Sequence, residues 1–133
     1  RPFSCGERGA NSCAQLAACI YGTLGEEGSA RRIADLISAQ PADNAVVVVA
    51  HNGPAGLGDR PFDICGVDWR GGPARSRYAS QGDHGDVDLQ LAIHAAHEAG
   101  TPPCLVLFGH MHSSIRQGGS RRMVAVSRDT PGT

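Results

Sequence analysis

Two short apolar runs constrain the fold of this chain more than any other feature. Residues 44–50 read NAVVVVA, and residues 104–108 read CLVLF. β-branched residues favour strands, and an apolar run without polar alternation is typical of a strand covered on both faces. Helical patterns precede each run, so the order helix, strand, loop, helix, strand predicts an α/β layered fold. The two strands should lie side by side and parallel.

Three segments have the periodicity of amphipathic helices: residues 11–21, 29–40 and 86–99. Their apolar stripes are predicted to be Cys13, Leu16, Ala17 and Ile20 in the first, Ile33, Leu36 and Ile37 in the second, and Leu89, Ala92, Ile93 and Ala96 in the third. The first helix is predicted to begin at Asn11 or Ser12 and to end at Gly22, and the second is predicted to begin at Ser29 and to stop at Pro41. The third is predicted to begin at Asp86, with Asp88 in its first turn, and to end at Gly100.

The other segments are predicted to be loop and hairpin. Residues 51–85 are rich in Gly, Pro, Asp and Arg and have no sustained period. Loops of this length are often functional, so we expect residues 53–82 to cover the strand ends and shape a substrate entrance. A hairpin is predicted after the second run, with HSSIR and RRMVAVS as its two arms and a turn at residues 117–120 between them.

Composition excludes several classes of protein. The chain has 133 residues, enough for one domain, and a net charge of −1, which does not favour nucleic acid or an anionic membrane as partner. No apolar run approaches the length of a membrane span, so we expect a soluble protein. Its 5 cysteines form no Cys-x-x-Cys pair and are interpreted as reduced thiols in a reducing compartment. No oligomeric state is predicted.

Histidines follow both predicted strands. His51 comes directly after the first run, and His110 and His112 follow the second within the stretch GHMH. Ligands of open α/β sheets bind beyond the carboxyl ends of the strands, so the three imidazoles should converge there, and imidazole is a ligand of zinc, iron, manganese and nickel. Gly109 allows a tight turn and leaves room for an ion. The alternative is that these histidines only bind backbone groups in loops.

The remaining candidates have simpler interpretations. His94 and His97 lie three residues apart on the third helix and are interpreted as solvated, as is His84 in the loop. The segment DICGVDW, with Cys65, Asp68 and Trp69, is interpreted as loop packing. GPAGLG at residues 53–58 is similar to a phosphate-binding glycine loop, but such a loop requires a helix directly after it, and DRPFDICG does not predict one.

The order of three blocks resembles a known family. The blocks are, in chain order, AHNGPAGLGDRPFDICGVDW, GDHGDVDLQLAI and LVLFGHMH. Together they are similar to the calcineurin-like metallophosphoesterases, in particular to a branch found in cyanobacteria and plant plastids. The resemblance implies a β-sandwich flanked by helices and two divalent metal ions (Mn, Fe or Zn), with a chloroplast location among the alternatives. It implies that His51 and His110 bind one ion and His112 the other.

The implied reaction is hydrolysis of a phosphoester by a metal-activated hydroxide, which a two-metal site would stabilise at both the attacking and the leaving oxygen. Asn52 and Arg60 are the candidate substrate-binding residues. An arginine can bind phosphate oxygens, although a solvated role for Arg60 is the alternative.

The chain also departs from the family pattern. The family's Asp-x-His, Gly-Asp-x-x-Asp and Gly-Asn-His-Asp/Glu motifs precede the single-histidine block, and nothing before His51 matches them. GDHGD at residues 82–86 matches the second motif but follows His51, so it is interpreted as coincidence. We therefore expect an incomplete, C-terminal half of the domain that has little activity alone. The alternative is a non-catalytic fragment or binding module that retains the fold.

Overall fold

The described part of the chain forms two compact units. The computed structural model describes residues 18–19, 22, 25–60, 62–66, 83–115 and 119–126. One unit comprises Arg1–Gly56 and Gly85–His110, and the other comprises Leu57–His84 and Met111–Thr133. The first contains helix α1 (Gly25–Ser38), strand β1 (Val47–Ala50), helix α2 (Val87–Glu98) and strand β2 (Leu105–Phe108). Neither α1 nor α2, as described, is long and apolar enough to cross a membrane.

The helix predicted over residues 11–21 lies mostly outside the described residues. Ala18 and Cys19 are helical. The Gly22 amide donates to the Ala18 carbonyl at 3.1 Å, and Gly22 has a φ of 65°. This left-handed glycine is how many helices end, in agreement with the predicted stop.

Helix α1 begins earlier than predicted. It starts at Gly25 with Glu26 and Glu27 in its first turn, where carboxylates interact favourably with the helix dipole. Ser29 is therefore not the cap, because it lies inside the helix and is buried. Leu36, predicted for the apolar stripe, is 61% exposed, and the buried stripe consists of Ala30, Ala34 and Ile37, with Ile33 partly buried.

Helix α2 matches its prediction closely. Leu89, Ala92 and Ala96 are buried, and Ile93 is half-buried. The Gly100 amide donates to the His97 carbonyl at 2.9 Å, and the Thr101 amide donates to the Ala96 carbonyl at 2.8 Å. With Gly100 at a φ of 74°, these two bonds form a Schellman motif, which confirms the predicted end of the helix.

Small residues bring α1 and α2 together. Ala30 and Ala34 of α1 form a buried cluster with Ala92 of α2. Beside it, the Ser29 hydroxyl donates to the Asp88 carboxylate at 2.7 Å, and Asp88 is only 2% exposed. The sequence pattern predicted Ala92 for the stripe of α2, but it omitted Ala30 and Ala34 from the stripe of α1 and interpreted Ser29 as a cap. It does not reveal which helix lies opposite.

Strands β1 and β2 pair in parallel, as predicted, with Val47 opposite Leu105 and Ala50 opposite Phe108. The prediction that both faces are covered is wrong for these strands. Val47, Val49, Leu105 and Leu107 are exposed and share one face, whereas the alternate residues are half-buried. One sheet face is therefore an exposed apolar surface.

The second unit has an arginine at its centre. Arg121 is 3% exposed. Its guanidinium donates to the carbonyls of Asp63 and Gly66, both at 2.7 Å, and to the carbonyl of His112 at 3.2 Å. Ile64, Cys65 and Ile115 are buried apolar residues of the same unit. These bonds hold together chain segments that are far apart in sequence.

Of the predicted hairpin, the described residues show one bridge and no continuous pair of strands. Ser114 and Ser120 form an isolated antiparallel bridge, and the Arg121 amide donates to the Ser113 carbonyl. Within residues 121–126, which the structure describes throughout, no strand is formed. Residues 116–118 lie outside the described residues.

Candidate metal centre

The candidate site begins with two histidines at the carboxyl ends of neighbouring parallel strands. His51 follows β1 directly, and His110 follows β2 after Gly109. Their rings are 4.9 Å apart between centroids and meet edge to face, and His51 Nε2 lies 3.1 Å from His110 Nδ1. Both side chains are exposed. The structure thus brings together two of the three predicted ligands.

The distance between the two ring nitrogens fits a shared ion. A metal–nitrogen bond of about 2.0–2.1 Å at a tetrahedral or octahedral angle places two nitrogen ligands of one ion roughly 2.8–3.4 Å apart. The observed 3.1 Å falls in this interval. The same distance also fits an N–H···N hydrogen bond, with the donor set by the tautomer. The nitrogen pair therefore passes the geometric test for one metal ion but does not require it.

His110 has an unusual backbone. Its φ is 66°, a left-handed conformation that costs a non-glycine residue about 1–2 kcal/mol. Preceding it, the Gly109 amide donates to the His51 carbonyl at 3.2 Å, which continues the contact between the two chain segments past the strands. Strained residues of this kind cluster at binding and catalytic sites.

The chain that leaves His51 is tightly held. Asn52 is 5% exposed, its Nδ2 donates to Asp86 Oδ1 at 3.2 Å, and its Oδ1 accepts from the Gly53 amide at 2.9 Å. The Asp86 amide donates in turn to the Gly53 carbonyl at 2.8 Å. The assignment of Asn52 to substrate binding stays a prediction, and its side chain has structural partners here.

Asp86 differs from its predicted role. It occupies the N-cap position of α2, but its carboxylate makes no hydrogen bond to the first-turn backbone, all of which the structure describes. It accepts from the Asn52 amide instead. The sequence pattern identified the position of Asp86 correctly and its partner incorrectly, since Asn52 lies 34 residues away.

The other two predicted site residues, His112 and Arg60, belong to the second unit. Both are exposed. The carbonyl of His112 accepts from Arg121 Nε, and the Arg60 amide donates to the Asp63 carboxylate at 3.0 Å. The roles of His112 as ligand of a second ion and of Arg60 as phosphate ligand stay predictions, as does the covering of the strand ends by residues 53–82.

Most of the residues with simpler interpretations behave accordingly where they are described, but His84, interpreted as solvated, is half-buried. His94 and His97 are exposed on α2, and Cys65 is fully buried. Residues 59–60 and 62–66, which follow the glycine-rich stretch, contain turns and bends rather than a helix, so the requirement of a phosphate-binding glycine loop is not met there. Asp68 and Trp69 lie outside the described residues.

Within the described ranges, no three His, Cys, Asp or Glu side chains gather closely enough to form a metal-binding group. Cys19, Cys65 and Cys104 form no disulfide bond. Cys5 and Cys13 lie outside the described residues.

Sequence reasoning did not identify two glycines, Gly53 and Gly85, whose positions leave no room for a side chain. Adding a Cβ to Gly53 would place it 2.5 Å from the Phe108 ring, and adding one to Gly85 would place it 2.3 Å from the Pro54 carbonyl oxygen. The glycines themselves were visible in the sequence. The close packing that requires them was not, because it involves β2 and the start of α2.

Comparison with known proteins identifies no relatives: no family model, no curated protein and no solved structure matches this chain.

Proposed function

We propose that this chain carries the histidine ligands of a metal-dependent phosphoesterase, with His51 and His110 binding one divalent ion. The single observation that supports this most is the 3.1 Å distance between His51 Nε2 and His110 Nδ1 at the ends of two parallel strands. The reaction class comes from the resemblance of the three ordered sequence blocks to the calcineurin-like metallophosphoesterases. The proposed substrate is therefore a phosphoester.

The residues of the chain have distinct parts in this proposal. The imidazoles of His51 and His110 bind the ion through Nε2 and Nδ1, the two nitrogens that face each other. A bound divalent ion would neutralise charge on phosphate oxygens and lower the pKa of water. The predicted part of His112 is to bind a second ion, and that of Arg60 is to bind phosphate oxygens.

The finer fold, a β-sandwich flanked by helices, is part of the same proposal. Its support is the apolar sheet face formed by Val47, Val49, Leu105 and Leu107, which is exposed in this chain. In a sandwich the inner face of each sheet is covered by side chains of the other. The coarser description, an α/β arrangement with two helices and a two-stranded parallel sheet, is observed directly over the described residues.

Metal titration tests the ligand assignment. The metal-free chain is titrated with Mn²⁺, Zn²⁺ or, anaerobically, Fe²⁺, and bound metal is measured by calorimetry and elemental analysis. His51→Ala and His110→Ala should each lose binding. His94→Ala removes an exposed histidine of α2 and is the matched control, which should bind as the unmodified chain does. Equal binding by all three variants would contradict the proposal.

An assay with a generic aryl phosphate tests the reaction. We expect slow turnover by this chain alone, because catalytic metal sites normally have three or more protein ligands per ion. Fast turnover that is lost in His110→Ala would instead mean that the chain holds a complete site, with Asp83 or Asp86 as additional ligands. In that case the interpretation of GDHGD as coincidence would be wrong.

A further inference from the structure

We propose that Asn52 and Asp86 form a positioning pair that holds the imidazole of His51 against that of His110. The inference rests on the proposed metal site for its functional meaning, but its geometry belongs to one compact unit of the metal-free chain. Neither residue is a metal ligand in this assignment. They act through the backbone that leaves His51.

Asn52 anchors this backbone from one side. It follows His51 directly, so the position of its side chain sets the direction in which the chain leaves the histidine. Its amide group is buried and used at both ends, with Nδ2 donating to the Asp86 carboxylate and Oδ1 accepting from the Gly53 amide. A hydrogen bond to a charged acceptor is stronger than one between neutral groups. The bond to Asp86 therefore favours this conformation of the Asn52 side chain over its other rotamers.

Asp86 anchors it from the other side. Besides accepting from Asn52, its amide donates to the Gly53 carbonyl at 2.8 Å and its carbonyl accepts from the Ala55 amide at 3.1 Å. Its carboxylate lies at the start of α2, where it would normally stabilise the helix by capping, and is directed to Asn52 instead. A local preference that is given up in this way is typical of functional positions.

The surroundings leave the segment little freedom to move. A Cβ on Gly53 would lie 2.5 Å from the ring of Phe108, and a Cβ on Gly85 would lie 2.3 Å from the carbonyl oxygen of Pro54. The chain after His51 therefore passes closely between the end of β2 and the start of α2. A shift of Asp86 will be transmitted to His51, since close-packed groups transmit displacement.

This arrangement also favours positioning over direct substrate binding by Asn52. Both polar ends of the amide already have protein partners, and only 5% of the residue is exposed. Residues that orient metal ligands typically cost roughly 10–100-fold in metal affinity when they are replaced. We expect changes of this size for the pair.

The test uses six variants of the 133-residue chain, including N52D alone and the control Asp43→Ser. Asn52→Ala removes the donor. Asp86→Ser keeps a good cap for α2 but cannot reach Asn52 in the same way, whereas Asp86→Asn retains an oxygen that accepts the bond. The exchange N52D/D86N reverses donor and acceptor and should restore the pair that N52D alone disrupts by placing two carboxylates together. Asp43→Ser, at an exposed turn position, is the control for the change at Asp86.

Two measurements are made on each variant. Imidazole ¹H–¹⁵N spectra and ring-to-ring nuclear Overhauser effects between His51 and His110 report on the metal-free chain, and Co²⁺ titration reports affinity and the visible absorption spectrum. We expect Asn52→Ala and Asp86→Ser to weaken the ring-to-ring effect, alter the Co²⁺ spectrum and lower affinity roughly 10–100-fold. Asp86→Asn, the double exchange and Asp43→Ser should remain close to the unmodified chain.

The outcomes separate this inference from the proposed function. If folded Asn52→Ala and Asp86→Ser keep the ring-to-ring effect and Co²⁺ affinity of the unmodified chain, the positioning pair is wrong. If the unmodified chain binds no Co²⁺ while both variants lose the ring-to-ring effect, the pair is correct and the proposed metal function is wrong. Should Asn52→Ala not fold, Asp86→Ser and the double exchange decide in the same way.

Discussion

At the scale of single residues, strain and close packing coincide where β1 and β2 end. His110 adopts a left-handed φ of 66°, and Gly53 lies against the ring of Phe108 with no room for a Cβ. Both features are adjacent to the contact between His51 and His110. Each can be changed alone, which separates the contribution of backbone conformation from that of the imidazoles.

Gly53→Ala should destabilise the first unit. The added Cβ would lie 2.5 Å from the Phe108 ring, and overpacking of this kind costs about 1–3 kcal/mol. Urea unfolding followed by circular dichroism measures the change. Gly109→Ala is the control, because its Cβ would meet only the His51 carbonyl at 3.8 Å. Equal stability of the two variants would show that Phe108 yields to the new methyl group.

His110→Asn should stabilise the fold while it removes metal binding. Asparagine tolerates the left-handed region better than most residues, so part of the strain at a φ of 66° is relieved. We expect a gain of up to about 1 kcal/mol in thermal unfolding. His112→Asn should bring no such gain, since among the described non-glycine residues only His110 has a positive φ. A loss of stability in His110→Asn would mean that the His51 contact outweighs the strain.

At the scale of elements, the packing of α1 on α2 depends on small residues and one buried polar pair. Alanines form the contact, and the Ser29 hydroxyl donates to the Asp88 carboxylate inside it. A buried carboxylate needs such donors. The pair therefore contributes to how the two helices are aligned, in addition to the apolar contact.

Ser29→Ala should destabilise the chain by about 1–3 kcal/mol, the usual cost of leaving a buried polar group without one of its partners. Ser38→Ala is a matched control that also removes a hydroxyl of α1, but from an exposed contact with Thr101. Its effect should stay within about 0.5 kcal/mol. Chemical denaturation of both variants and of Asp88→Asn gives the comparison. Equal effects of Ser29→Ala and Ser38→Ala would contradict a special role for the buried pair.

At the scale of the whole molecule, two features concern the 133-residue chain rather than one element. The sheet has one exposed apolar face, with Val49 at 78% exposure. The second unit is held by Arg121, which joins carbonyls at positions up to 58 residues away in sequence. Each feature leads to a prediction about the chain in solution.

The exposed sheet face should cause the isolated chain to self-associate, because contiguous apolar surfaces are rarely left open in monomeric proteins. Val49→Thr combined with Leu107→Thr should reduce association while keeping side chains that suit a strand. Sedimentation velocity over a range of concentrations measures it. Val87→Thr, at an exposed position that begins α2, should have no effect. A monomeric unmodified chain at high concentration would contradict the prediction.

Arg121→Lys should weaken the second unit selectively. Lysine keeps the charge but lacks the planar guanidinium that binds several carbonyls at once. Hydrogen exchange should rise in residues 62–66 and 111–115, and protection of α1 and α2 should change little. Arg122→Lys makes the same replacement at the neighbouring exposed position. It should leave hydrogen exchange unchanged both in residues 62–66 and 111–115 and in α1 and α2. A uniform rise over both units would show that they unfold together.

The sequence by itself determined the parts of this protein that depend on local pattern and chain order. Valine-rich and leucine-rich runs predicted β1 and β2, and their separation by a helix predicted parallel pairing, which the structure confirms. The same order placed His51 and His110 at one end of the sheet, where their ring nitrogens meet. Gly100 ended α2 as predicted, since the Schellman motif is built from neighbouring residues.

Only the tertiary structure decided which side chains are partners and which surfaces are buried. Ser29 and Asp86 have the residue types of helix caps, but Ser29 binds a carboxylate 59 residues away and Asp86 an amide 34 residues away. Leu36 and Val49 fit buried patterns and are exposed, while alanines fill the helix contact. A periodic pattern shows that a segment has an apolar face, but what packs against that face depends on distant residues.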